Sequence, residues 1–82
     1  MMNHVFNSSI TVFGIPYHIQ TEDWIQHKCI VTQIFKNGAV LKTVRAPYTD
    51  LVKGRVPSSV ELGTAMRDQH QQILDQLVSG QF

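Results

Sequence analysis

The sequence predicts an α+β fold: a four-stranded antiparallel β-meander followed by one C-terminal amphipathic α-helix (ββββα). Residues 6–22 contain two short runs in which β-branched, aromatic and aliphatic side chains alternate with polar ones, the period of half-buried strands. Asn37-Gly38 sits between two further apolar runs and is the strongest short-range hairpin signal in the chain. Ser58, Glu61 and a following stripe of apolar residues at helical spacing mark a single closing helix.

Taken in order, residues 6–13 read as the first strand, and Gly14-Ile15-Pro16 reads as its turn. Residues 17–22 alternate cleanly, with Tyr17, Ile19 and Thr21 on one face and His18, Gln20 and Glu22 on the other. Residues 23–28 connect to a third strand at 29–36, and residues 39–45 form the return strand. A two-residue turn at Asn37-Gly38 fixes an expected register in which Lys36 faces Ala39, Phe35 faces Val40, Ile34 faces Leu41 and Val31 faces Val44. Ala46-Pro47 ends the strand, and the link that follows has room for one helical turn around Asp50, Leu51 and Val52. Ser58 then caps the helix, Glu61 completes a capping box, and Leu62, Met66, Ile73, Leu74 and Leu77 form the buried stripe, with Gly80 at the C′ position. The domain is single, over 1–82, with sheet at about 5–45, link at 46–57 and helix at about 58–80.

Composition narrows the function classes. The chain has 82 residues, 43% hydrophobic and 16% charged, so it is an ordinary globular chain and not a disordered one. A domain this short buries only about 60% of its unfolded surface, so association is a natural supplement to a thin core. Cys29 is the only cysteine, which excludes a disulfide-stapled framework. Residues 1–7 carry neither a basic leader nor a continuous apolar stretch, and no apolar run reaches the length of a membrane span. No signal peptide, no membrane partner and a cytoplasmic location are therefore expected. The net charge is +1, with the hairpin half mildly basic and the tail mildly acidic.

In the expected register the third and fourth strands are apolar on both sides. One face carries Ile30, Ile34 and Leu41; the other carries Val31, Phe35, Val40 and Val44, interrupted by Gln33 and Lys42. One helix covers one side of a small sheet, so the face with Val31, Phe35, Val40, Lys42 and Val44 is the expected interaction face. The primary functional expectation is a non-catalytic protein-interaction or regulatory module, homodimeric through that face or docking another protein. The alternative at this face is a sheet curled enough for its own helix and link to cover both sides.

Other chemistries are weaker. His27 and Cys29 stand two residues apart, but no second ligand pair accompanies them, so no metal and no cofactor are expected. Gln69 and His70 fall inside the apolar stripe and need buried partners, for which Tyr17, Thr32 or a strand carbonyl are candidates; they read as a structural polar pair. As a small enzyme or ligand-binding domain, the chain would use His70 as a general base with Glu22 or Asp23 orienting it. Ser8, Ser9 and Thr21 qualify as nucleophiles by residue type alone. Four strands and a helix, dimerised, is also the layout of single-strand nucleic-acid binders of the transcriptional-coactivator type. Lys36, Lys42, Arg45 and Phe35 are available here, but Lys42 and Arg45 fall on opposite faces and break the basic stripe.

Phe6-Asn7-Ser8 leading to Tyr17-His18-Ile19-Gln20-Thr21-Glu22-Asp23, and Met66-Arg67-Asp68-Gln69-His70 ending in Gly80-Gln81-Phe82, resemble a group of small bacterial proteins and domains. The group's pattern runs F-N-[ST], then [YF]-H-[VI]-Q-T-E-D, a V-x-x-G hairpin, M-x-x-Q-H and G-x-F. The resemblance spans nearly the whole chain, the 48–58 link being its least distinctive part. It implies no catalytic residue and no cofactor. It does imply that His18, Gln20, Glu22, Gln69 and His70 belong to one recurring arrangement, with His18, Gln20 and Glu22 as a polar motif surface.

Overall fold

The computed structural model describes residues 5–81. It is the expected ββββα fold: β1 (Val5–Val12), β2 (Ile15–Trp24), β3 (Cys29–Lys36), β4 (Ala39–Pro47) and helix α1 (Ser59–Val78), with single 3-10 turns at Ile25–His27 and Tyr48–Asp50. The strands pair antiparallel in sequence order, β1-β2-β3-β4, so each pairs with its chain neighbour and β1 and β4 are the edges. Phe82, the last residue of the G-x-F pattern, lies outside the described residues.

Both hairpins at one end of the sheet close through two-residue turns with positive φ at both central positions. Asn37 and Gly38 have φ of 55° and 78°; Phe13 and Gly14 have 51° and 78°. The second pair corrects the expected turn at Gly14-Ile15-Pro16, because Val12 pairs directly with Ile15 and both Ile15 and Pro16 already belong to β2. A phenylalanine in the left-handed region is strained, since its Cβ crowds the following carbonyl. Phe13 is also 90% exposed, so its ring gains no packing in return. Phe13→Asn is therefore expected to stabilise the chain by about 1 kcal/mol, read as a higher urea midpoint at an unchanged m-value.

The β3–β4 ladder contains the second correction. Lys36 faces Ala39 and Phe35 faces Val40 as expected, but Ile34 faces Lys42 and Val31 faces Arg45. Leu41 is the extra residue of a β-bulge, and from there to Pro47 the strand is out of phase with the expected register. One inserted residue exchanges the faces of everything beyond it. Val44 consequently lies opposite Thr32 on the helix side, and Arg45 takes the place expected for Val44.

Helix α1 starts where the sequence indicates. The Ser58 hydroxyl accepts from the Glu61 amide at 3.1 Å, and the Glu61 carboxylate accepts from the Ser58 amide at 2.8 Å. Arg55 grips the same carboxylate with two bonds of 2.7 Å; this pair first, and the Ser58 amide second, hold the Glu61 carboxyl down to about 2. At the far end, Gln81 and Gly80 amides donate to the carbonyls of Gln76 and Leu77, closing a Schellman motif. Met66, His70, Ile73 and Leu77, spaced four, three and four apart, form the buried stripe, with Leu62 and Leu74 half-buried beside it. The helix lies mainly over β2 and touches β1 and β3 at its flanks. Among the described residues, no helix is long and apolar enough to cross a membrane.

Candidate functional site

The two faces of the sheet are chemically distinct, and helix α1 occupies the one bearing Tyr17, Ile19 and Thr21. Towards the hairpin turns the contact is apolar: Ile73 and Leu77 pack on Ile19 and Ile34, with Ile10, Tyr17, Val44 and Leu74 around them. Beside this cluster the contact becomes polar. His70 places Nδ1 at 2.8 Å from Thr21 Oγ1 and Nε2 at 2.8 Å from Ser8 Oγ. Thr21 and Thr32 hydroxyls lie 2.7 Å apart across the β2–β3 ladder, and the Gln69 amide donates to Thr32 Oγ1 at 3.0 Å. Thr21, Thr32 and His70 are all buried, and among the described residues no buried side-chain nitrogen or oxygen lacks a partner.

The bonds form one continuous run. Thr32 accepts from Gln69, and its hydroxyl shares a second hydrogen bond with that of Thr21. The Thr21 and Ser8 hydroxyls engage the two ring nitrogens of His70, one of which donates and the other accepts in a neutral imidazole. Both ring nitrogens are thus taken up within the network. The Gln69–His70 pair therefore finds partners by design of the sheet, and Thr32 is one of those expected; Ser8 and Thr21 are additional. Tyr17, the other side chain considered, joins the apolar cluster instead. Ser8, Thr21, Gln69 and His70, from three separate stretches of the sequence, meet here.

Burial first, and the charge of His18 second, lower the pKa of His70 from its ordinary 6.5. The fold thus holds a neutral ring while the unfolded chain takes up a proton near 6.5. Stability from this site is complete above that pH and falls as pH drops below it, until the folded-state value is reached. The slope is at most about 1.4 kcal/mol per pH unit. Urea titrations between pH 7.5 and about pH 5 should show this loss in wild type, and a shallower one in His70→Gln.

A second buried pair ties the link to the sheet. The Tyr48 hydroxyl donates to the Asp23 carboxylate, and the Tyr48 amide donates to the Lys28 carbonyl at 2.9 Å. Burial first, then that carboxylate, push the Tyr48 phenol above its ordinary value. This pairing was not legible in the sequence, because a residue near the end of β2 and one in a 3-10 turn 25 positions later share no local pattern.

Among the described residues, the opposite face carries no helix. Register places His18 opposite Phe35, Gln20 opposite Gln33, and Glu22 opposite Val31. Directly paired residues share a face. The polar motif surface of His18, Gln20 and Glu22 and the apolar residues Val31, Phe35 and Val40 are therefore one surface, not two. Lys42 and Val44 are not part of it: the bulge turns both to the helix side, and Arg45 and Thr43 enter in their place. The expected continuous apolar face is accordingly interrupted. Val31 is 1% exposed between the longer side chains of Glu22 and Arg45, Phe35 is half-buried, and Val40 is 48% exposed.

The side chains of this open face are organised. The His18 ring lies 5.9 Å from the Phe35 ring, and Ser9 Oγ lies 3.3 Å from His18 Nδ1. The Gln20 amide donates to Glu22. At the other end the Arg45 guanidinium stands 5.7 Å over the Trp24 ring, a cation–π contact. Near the hairpin turns the surface dips into an open hollow of about 600 Å³ bordered by Ser9, Tyr17, His18, Gln20 and Phe35. Cys29 is buried and His27 is exposed with its ring 5.8 Å from Trp24. Among the described residues no group of three His, Cys, Asp or Glu side chains is placed to hold a metal.

In comparisons with family models, curated proteins and solved structures, nothing matches this chain.

Proposed function

We propose that this chain is a non-catalytic protein-interaction module whose docking surface is the open sheet face around His18, Phe35 and Val40. One observation carries the reading: the helix occupies only the Ile19–Thr21 side, while the other side presents an aromatic pair beside a hollow and, paired with Phe35, a half-exposed valine. An aromatic and aliphatic centre with a polar rim is the composition of non-obligate protein interfaces. By register, Glu22 and Arg45 are one acid and one base on this face, so it suits a protein surface of little net charge.

The homodimer expected through this face loses support with Val44 turned away, because obligate interfaces are the more apolar class. For the nucleic-acid alternative, the Arg45–Trp24 and His18–Phe35 pairs offer stacking groups, but Lys36 and Lys42 stand on the helix side. An enzymatic role for His70 has no support in a ring whose two nitrogens are both engaged in the buried network.

A photo-crosslinking amino acid at Gln33 or Thr43, compared with one at Gln71 on the outer side of the helix, tests the docking face in cells of the native host. The expected result is one discrete protein adduct from both sheet positions and none from Gln71. The adduct should disappear with Val40→Lys and persist at about 0.5 M salt, where exposed charge pairs are screened. Equal adducts from Gln71, or none from the sheet, overturn the reading; loss of the adduct to nuclease favours the nucleic-acid alternative.

A further inference from the structure

The two edges of the sheet are built differently. An edge strand offers a row of unpaired amides and carbonyls, and stable monomers blunt such rows with charges, prolines or bulges. Edge β4 has all three: Lys42 and Arg45, Pro47, and the bulge at Leu41. Edge β1 has none. Its sequence is VFNSSITV, without a charged residue or proline, and its eight residues pair with β2 in unbroken register from Val5–Glu22 to Val12–Ile15. Among the described residues, no strand lies on its outer side.

The side chains of β1 are also unfinished. Phe6 and Ile10 stand on the helix side but only half-buried, because the helix lies mainly over β2. Another strand laid against β1 would extend the sheet beneath their outer flank.

We propose that β1 pairs antiparallel with β1 of a second copy, giving a two-fold dimer with one continuous eight-stranded sheet. The chain suits itself as the occupant because the strand is self-complementary. With Ser8 opposite its own counterpart, Phe6 faces Ile10 of the other copy and Asn7 faces Ser9, so over residues 6–10 apolar meets apolar and polar meets polar; Val5 faces Thr11, and no like charges approach. Register by an even residue sum is required to keep faces matched, and this one pairs the two half-buried apolar side chains with each other. In an antiparallel pair, about four of the eight residues direct their backbone groups outwards to make the new ladder. A two-fold axis perpendicular to the sheet keeps both helices on one side and both open faces on the other. The dimer therefore doubles the width of the open face without covering it, and stands or falls independently of what docks there.

Sedimentation velocity on the full chain tests the pairing. The wild type is expected at twice the 9.3 kDa protomer mass. Asn7→Lys with Thr11→Lys, both exposed on β1, is expected to give a folded monomer, whereas Thr43→Lys on the bulged edge leaves the dimer intact. A wild type that stays monomeric at about 100 μM, a concentration at which even weak specific pairs with Kd near 10 μM are mostly formed, overturns the proposal. So does a dimer that survives the two lysines. Register is read by mixing Asn7→Cys and Ser9→Cys chains: mild oxidation should cross-link the mixture faster than either variant alone. Equal rates contradict the β1–β1 arrangement.

Discussion

His70→Ala should destabilise the chain by about 3 kcal/mol, the cost of stranding the hydroxyls that His70 now satisfies together with the packing its ring provides. The argument rests on where the partners sit. Thr21 is fully buried and would lose its Nδ1 partner with no water in reach, while Ser8, only half-buried, can turn to water. Thr21 therefore bears most of the penalty, and the Thr21–Thr32–Gln69 run loses its terminus. The Phe6 ring, whose centroid is 6.0 Å from that of His70, loses a neighbour as well. For a domain of this size, each kcal/mol lowers Tm by about 4–8 °C, so the variant should melt at least about 12 °C below wild type. A loss under about 0.5 kcal/mol by urea titration would mean that the network is not buried as described.

Ile19→Ala is the second large effect, expected at about 3.5 kcal/mol. Ile19 has no exposed surface and lies in one cluster with Ile34, Ile73 and Leu77, at the contact between sheet and helix. A buried isoleucine truncated to alanine loses its transfer free energy and leaves a cavity that surrounding side chains fill only in part. At roughly 0.05–0.15 kcal/mol per residue, 82 residues hold a total stability of about 4–12 kcal/mol, so this one change removes a large share of it. Val60→Ala on the same helix, where Val60 is 78% exposed, should stay within about 0.5 kcal/mol and serves as the comparison. Equal effects from the two would contradict the assignment of the helix face.

These effects come from features that were unequally legible in the sequence. Asn37-Gly38 and the Ser58–Glu61 box are local rules, readable because the conformation they require is set by a few adjacent residues. The Gln69–His70 pair was legible as a need for partners, since polar side chains within an apolar stripe must be satisfied. Which partners they find depends on three strands coming together, and only Thr32 was foreseen. Phe13 was read as strand because nothing about phenylalanine suggests positive φ. The bulge at Leu41 misled most, since unbroken alternation through Val40, Lys42 and Val44 is a reasonable reading until one residue is skipped. That skip changed the inferred interaction face by removing Val44 and Lys42; the β2–β3 pairing, separately, joins Val31, Phe35 and Val40 to His18, Gln20 and Glu22. Nothing in the composition of residues 39–45 announces the skip.

Paramagnetic relaxation of side-chain methyls by a soluble, uncharged gadolinium chelate, at a concentration where the chain is monomeric, probes which side of the sheet faces water. The Val40 methyls should relax strongly while those of Ile34, on the helix side, stay nearly unaffected, in keeping with 48% and 0% exposure. Val40 methyls as protected as those of Ile34 would mean that the chain shields both sides of its own sheet, and that no docking face is left open.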